Sequence, residues 1–155
     1  MQDFKNLKVW QMARQLTKSI YTLTMDFPGS EEFGLKSQMR RASVSICTNI
    51  AEGCGRRGDR EFRRFVDVAM GSACELECET ILSFDLAFIN EAMQEQILEK
   101  LIQIKRMLGS LANKLLSSIE KLRQLRRLNK EAAKRAARIQ VTQPRADSLE
   151  PQAES

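Results

Sequence analysis

The chain has 155 residues, of which 43 % are hydrophobic and 29 % charged, with a formal net charge of +5. One domain with a packed core is expected at that length, without a membrane span of ~18–20 consecutive apolar residues and without the apolar stretch and cleavage site of a signal peptide in MQDFKNLKVWQMARQL, so the protein reads as cytoplasmic with its four cysteines as thiols. Histidine is absent, which excludes Ser-His-Asp and Cys-His catalysis, the Glu-x-x-His di-iron motif and every histidine-containing zinc site.

The first predicted helix spans about Leu7 to Asp26. Val9, Ala13, Leu16, Ile20, Leu23 and Phe27 recur at alternating spacings of four and three, one stripe of an α-helix. Phe27-Pro28-Gly29-Ser30 ends it. The second spans about Gly34 to Glu52 on Leu35, Met39, Ala42, Ile46 and Ile50, with Gly53 as a C′ cap. Asp59 is the expected N-cap of the third, whose stripe is Phe62, Val66, Ala69, Ala73, Leu76, Thr80 and Phe84, ending near Ile89. Asn90 caps the fourth. Its seam of Ile97, Leu101, Ile104, Leu108, Leu111 and Leu115 continues to Leu122 and Leu125. It then thins into the alanine-rich, cationic KEAAKRAARI, which favours helix but has little to bury. The final QPRADSLEPQAES is polar and proline-containing, the composition of a disordered tail.

No alternating strand pattern competes, and no internal repeat is present. The expected fold is all-α, an antiparallel up-down-up-down four-helix bundle. Residues 1–120 form the bundle, 121–140 a basic helical extension, and 141–155 the disordered tail. As one helix, Asn90 to Arg138 reaches ~70 Å against ~30 Å for the first helix, so its last third is expected to project from the bundle or fold back.

The charge falls in two blocks. Lys121, Arg123, Arg126, Arg127, Lys130, Lys134, Arg135 and Arg138 face one acid, Glu131, a local charge of +7 that leaves −2 for the rest of the chain. Earlier, Lys36, Arg40, Arg41, Arg56, Arg57, Arg60, Arg63 and Arg64 outnumber Glu52, Asp59 and Glu61. Two basic blocks suit a polyanion-binding surface.

The stretch GCGRRG, Gly53 to Gly58, matches the dinucleotide fingerprint G-x-G-x-x-G. That fingerprint needs a strand before it, and SQMRRASVSICTNIAEG has helical periodicity instead. The glycines read as a turn: Gly53 stops a helix, and Gly55 and Gly58 permit positive φ. The arginines are a separate signal. A helix N-terminus disfavours cations, so Arg56, Arg57, Arg60, Arg63 and Arg64 read either as a solvated face or as a phosphate-contact surface.

Arg41, Ser45, Asn49 and Glu52 share one polar face of the second helix, and Glu75 and Glu79 lie one turn apart on the third. Structurally, Arg41 and Asn49 would meet carboxylates on neighbouring helices and fix their register. Chemically, Glu75 and Glu79 would share a divalent metal. Cys47, Cys54, Cys74 and Cys78 sit at different levels of two antiparallel helices, by ~1.5 Å of rise per residue, so they read as small buried thiols, with no metal site. Trp10, Thr17 and Tyr21 lie off the main stripe of the first helix. Leu98, Ile102, Ala112 and Leu116 make a second stripe on the fourth. These are oligomer-interface candidates or the edge of a wide core; Trp10 is also able to stack on a base.

FKNLKVWQMA, IYTLTMDFP, FGLKSQMRRASVSICTNIAEGCGR and EFRRFVDVAMGSACELE, in that order, resemble the four-helix bundle proteins encoded by intervening sequences of 23S ribosomal RNA genes. The likeness runs from about Phe4 to Leu116. More distantly, the chain is similar to the accessory variability proteins of diversity-generating retroelements, which form pentameric barrels and work with a reverse transcriptase and its template RNA. The resemblance implies a bundle, a homopentamer and a cationic nucleic-acid surface; it does not imply a known enzymatic activity. The long basic extension departs from that pattern. In a pentamer, five such arms would multiply a weak contact into avidity.

The function expected from residues and resemblance together is a non-catalytic, oligomeric accessory protein without a cofactor. It binds nucleic acid, RNA ahead of DNA, and has a reverse transcriptase as a candidate partner. The nucleic-acid residues are Arg40, the five arginines of the turn and the eight cations of the extension. A protein-only scaffold, with the basic helix in an acidic groove, is the alternative. A metal-dependent nuclease using Glu75 and Glu79 is the third reading, and a membrane-surface role is weaker because the extension's apolar face is mostly alanine after Leu128.

Overall fold

The structure is a computed structural model and describes residues 3–142. Its α-helices are α1 (Lys8–Leu23), α2 (Leu35–Gly55), α3 (Asp59–Asp85) and α4 (Glu91–Thr142), with 3₁₀ turns at Phe4–Asn6, Thr24–Asp26 and Gly29–Glu31. Among the described residues there is no strand. None of the described helices is long and apolar enough to cross a membrane. The chain divides into two units between Ile119 and Glu120.

In the first unit the apolar stripes form one core. Val9, Ala13, Leu16 and Ile20 of α1 are buried with Met39, Ile46 and Ile50 of α2, Val66, Ala69 and Leu76 of α3, and Leu101, Ile104 and Leu108 of α4. Each large aliphatic side chain so removed from water contributes roughly 1.5–3 kcal/mol. Cross-helix contacts give the directions. Thr17 Oγ1 donates to Ser43 O at 3.0 Å, while Arg40 Nε donates to Thr24 Oγ1 at 2.8 Å. Numbers rise on α1 as they fall on α2, so the pair is antiparallel. Ser45 Oγ lies 2.8 Å from Ser72 Oγ, and Ser83 Oγ donates to Met39 Sδ at 3.3 Å, which reverses α3 against α2. Lys105 Nζ reaches Glu77 at 2.6 Å and Lys100 Nζ reaches Ser19 Oγ at 3.2 Å, which lays α4 against both α3 and α1. The result is a four-helix bundle.

Several boundaries depart from expectation. α1 stops at Leu23, and the next three residues tighten into 3₁₀ form, held by Thr24 Oγ1 donating to Ile20 O at 2.8 Å. α2 runs through Gly53 to Gly55. Gly53 is no C′ cap: a Cβ there would stand 2.6 Å from Phe62 Cδ2 and 3.0 Å from Phe65 Cβ. It is glycine because α3 crosses close by. Of the turn glycines only Gly58 has positive φ, at 91°. Gly58 is also the N-cap of α3, which displaces Asp59 into the first turn. There Asp59 and Glu61 complement the positive helix end. α3 ends at Asp85, before Ile89, because Ala87 takes φ 56°. Phe88 N donates to Ser83 O and Ala87 N to Phe84 O, both at 2.8 Å, closing a Schellman motif. Asn90 caps α4 as expected, its Oδ1 accepting from Met93 N at 2.9 Å.

In the second unit α4 continues to Thr142, and every residue from Glu120 to Arg138 is exposed. Leu122, Leu125 and Leu128 are each more than half exposed. The expected tail begins inside this helix at residues 141–142, and its remainder, 143–155, lies outside the described residues.

Candidate nucleic-acid interface

The extension carries the densest charge. At 100° per residue, Arg123, Arg126, Arg127, Lys130, Lys134 and Arg138 fall within an arc of roughly 120°, over a rise of ~22 Å at 1.5 Å per residue. Lys121 and Arg135 lie outside that arc. Leu122, Leu125 and Leu128 occupy the opposite side. All eight cations are exposed. Such a face can run along a phosphate backbone and release counterions.

The α2–α3 turn is closer to electrical balance. Arg56 forms an ion pair with Glu52, and its guanidinium carbon lies 5.1 Å from the Phe65 ring centroid. Arg63 Nε sits 3.7 Å from Asp67 Oδ2 and is buried without a hydrogen-bond partner. Arg57, Arg60 and Arg64 are exposed and form no ion pair among the described residues. From Glu52 to Asp67 five arginines meet four carboxylates. Charge density therefore puts the extension ahead of the turn as a candidate polyanion surface. The glycine motif lies between two helices and has no strand before it.

Arg40 is engaged inside the fold. Besides its bond to Thr24, its Nη2 donates to Tyr21 O at 3.4 Å, and its guanidinium carbon lies 4.8 Å from the Tyr21 ring centroid. It ties α2 to the end of α1.

The expected polar network is only partly assembled. Arg41 Nη2 meets Glu75 Oε1 at 2.8 Å across α2 and α3, with side chains 71 % and 44 % exposed. Such a pair contributes about 0–1 kcal/mol. Asn49 reaches no carboxylate; its Nδ2 donates to Ser45 O at 2.8 Å and Ser45 Oγ at 3.0 Å. Glu52 stays on its own helix with Arg56. Glu79 is buried, only 4 % exposed, and neither carboxylate oxygen has a partner. Burial, and then the charge of Glu75, push its pKa to about 7 against the opposing pull of Arg41. An exposed, ion-paired Glu75 beside a buried, half-neutral Glu79 is a poor divalent-metal pair. Among the described residues no three His, Cys, Asp or Glu side chains converge.

The cysteines divide by helix. Cys54 is buried, and Cys47 is half-buried with Sγ 3.6 Å from Thr17 Oγ1. Burial raises both thiol pKa values, which makes them unreactive. Cys74 and Cys78 are exposed on α3, contrary to the expectation of buried thiols. Among the interface candidates Tyr21 and Ile102 are 45 % and 43 % exposed, while Trp10, Leu98 and Leu116 are half-buried. Thr17 is drawn into the α1–α2 contact, and Ala112 is buried. Sequence reasoning passed over Lys5, Arg14 and Lys18 beside Trp10. Their signal was three unmatched cations around the single tryptophan.

Bundle and charged extension together define a class: a small all-helical protein with a cationic helical extension. The chain belongs to the 23S rRNA-intervening sequence protein family, whose model matches residues 5–110. The extension lies beyond the matched residues. Among solved structures it is similar to a protein with unknown function from the S23 ribosomal protein family of Bacteroides thetaiotaomicron. The TM-score is 0.63 at 23 % identity, over 67 % of this chain and 97 % of that one. At that identity the likeness speaks for the fold alone. No curated protein matches this chain.

Proposed function

We propose that this protein is a non-catalytic, oligomeric RNA-binding accessory protein, serving a ribosomal RNA intervening sequence or a partner reverse transcriptase. The observation that carries the proposal is the six-cation face of α4, exposed along ~22 Å of helix. Family membership gives RNA its precedence over DNA as the polyanion, and the pentamer is the assembly that the resemblance implies. Cytoplasmic residence follows from the same reading. Titration of a structured RNA and of duplex DNA across a salt series tests it. Affinity must fall steeply with salt, because phosphate contacts release counterions; salt-independent binding overturns the proposal.

One observation favours a second reading. Leu122, Leu125 and Leu128 are exposed opposite the cations, and a phosphate backbone makes no use of them. An acidic groove of a partner protein that surrounds the helix would engage both faces. Capture of a stoichiometric protein partner that survives nuclease treatment separates this reading from the first.

A further inference from the structure

The 3₁₀ turn Phe4–Asn6 and the first three turns of α1 border an open surface groove of about 660 Å³, which includes Phe4, Lys5, Trp10, Arg14 and Lys18 in its lining. Three cations line it and no carboxylate does. None of the three forms a salt bridge among the described residues. Arg14 and Lys18 stand one turn apart on α1, a like-charge placement that works against the helix. No ion pair accounts for them, and Arg14 has its contact with the Trp10 ring.

Two aromatic rings border the groove. Phe4 and Trp10 meet edge to face, centroids 4.8 Å apart and planes at 67°. Trp10 is half-buried and packs against the core. Lys5 Nζ lies 6.0 Å from the Phe4 centroid and Arg14 Cζ 5.9 Å from the Trp10 centroid. Gln11 Nε2 donates to Lys5 O at 2.8 Å, which fixes the turn against α1 and leaves the groove preformed. Its volume lies in the range of small-ligand pockets, roughly 300–1,000 Å³.

We propose that this groove holds one nucleotide of a single-stranded RNA segment, its base against Trp10 and its phosphate between Arg14 and Lys18. An aromatic face accepts any base, and an adjacent arginine adds cation–π attraction. The α4 extension reads charge alone, whereas this groove requires a base. The inference rests on the reading of the protein as an RNA binder.

Trp10 is the only tryptophan, so its emission reports this groove. The full chain is titrated with a twelve-residue oligouridylate. Anisotropy of a labelled copy reads binding anywhere on the protein, and Trp10 emission with an unlabelled copy reads the groove. The expected result is quenching that follows the anisotropy curve, a midpoint shifted at least about tenfold by Arg14→Ala with Lys18→Ala, and no shift with Arg106→Ala on α4. A heparin fragment, an anion without bases, is expected to bind without quenching. Binding by anisotropy with unchanged Trp10 emission overturns the groove and leaves the RNA reading standing. An unshifted midpoint in the double variant, or equal quenching by heparin, overturns it as well. No anisotropy change with any RNA removes both readings.

Discussion

Replacing Glu79 by glutamine is expected to flatten the pH dependence of stability. The folded carboxyl titrates near 7 and the unfolded one near 4.5. The folded state therefore holds a proton that the unfolded state releases between those values. The stability linked to this group is fully present below pH 4.5 and is lost as pH rises through 7. A difference of 2.5 in pKa corresponds to about 3 kcal/mol at full ionisation. By pH 5 the loss is only about 1 kcal/mol, and by pH 8 it is nearly complete. Urea denaturation of both proteins at pH 5 and pH 8 measures this. Glutamine leaves a buried amide that also lacks a partner, so the absolute difference at one pH is uninformative. The variant's gain relative to the native chain must grow by about 2 kcal/mol from pH 5 to pH 8. Parallel behaviour of the two proteins would refute the reasoning, since Glu79 would then be solvated or paired.

Three further outcomes test the packing. Gly53→Ala forces a methyl against Phe62 and Phe65 and is expected to cost about 1–3 kcal/mol in denaturant unfolding. Ala87→Gly relieves a left-handed alanine at the end of α3 and should stabilise by about 0.5–1 kcal/mol, seen as a higher Tm. Arg41→Ala breaks an exposed pair with Glu75 and should change stability by less than about 1 kcal/mol; a larger loss would mean that the pair is desolvated in an assembly.

Most stripe positions were legible in the sequence because they obey a local period, but Phe84, Leu122 and Leu125 keep the period and are exposed. Val9, Ala13, Leu16 and Ile20 all proved buried, as did Ile97, Leu101, Ile104 and Leu108. Asn90 was legible for the same reason, since capping is local chemistry. Gly53 was misread because its constraint comes from Phe62, nine residues away on another helix. The left-handed turn at Ala87 was invisible, since alanine carries no signal for positive φ. Arg40 looked like surface charge until its bonds to α1 appeared, and Cys74 and Cys78 looked buried because thiols usually are. The charge of the extension was legible as composition, but its one-sided distribution needed an unbroken helix. Glu79 illustrates the limit at the candidate site: a carboxylate on a helix gives no hint of whether water reaches it.

The central claim is that the cationic face of α4 binds RNA phosphates. The most direct test compares salt slopes of RNA binding for the native chain and a full-length variant with Arg126, Arg127, Lys130 and Lys134 replaced by glutamine, which keeps helix propensity. Six contacts predict a log–log slope of about −4 to −5, and losing four should reduce its magnitude by about 3. Identical slopes and affinities in the two proteins would contradict the account and move the binding surface off the extension.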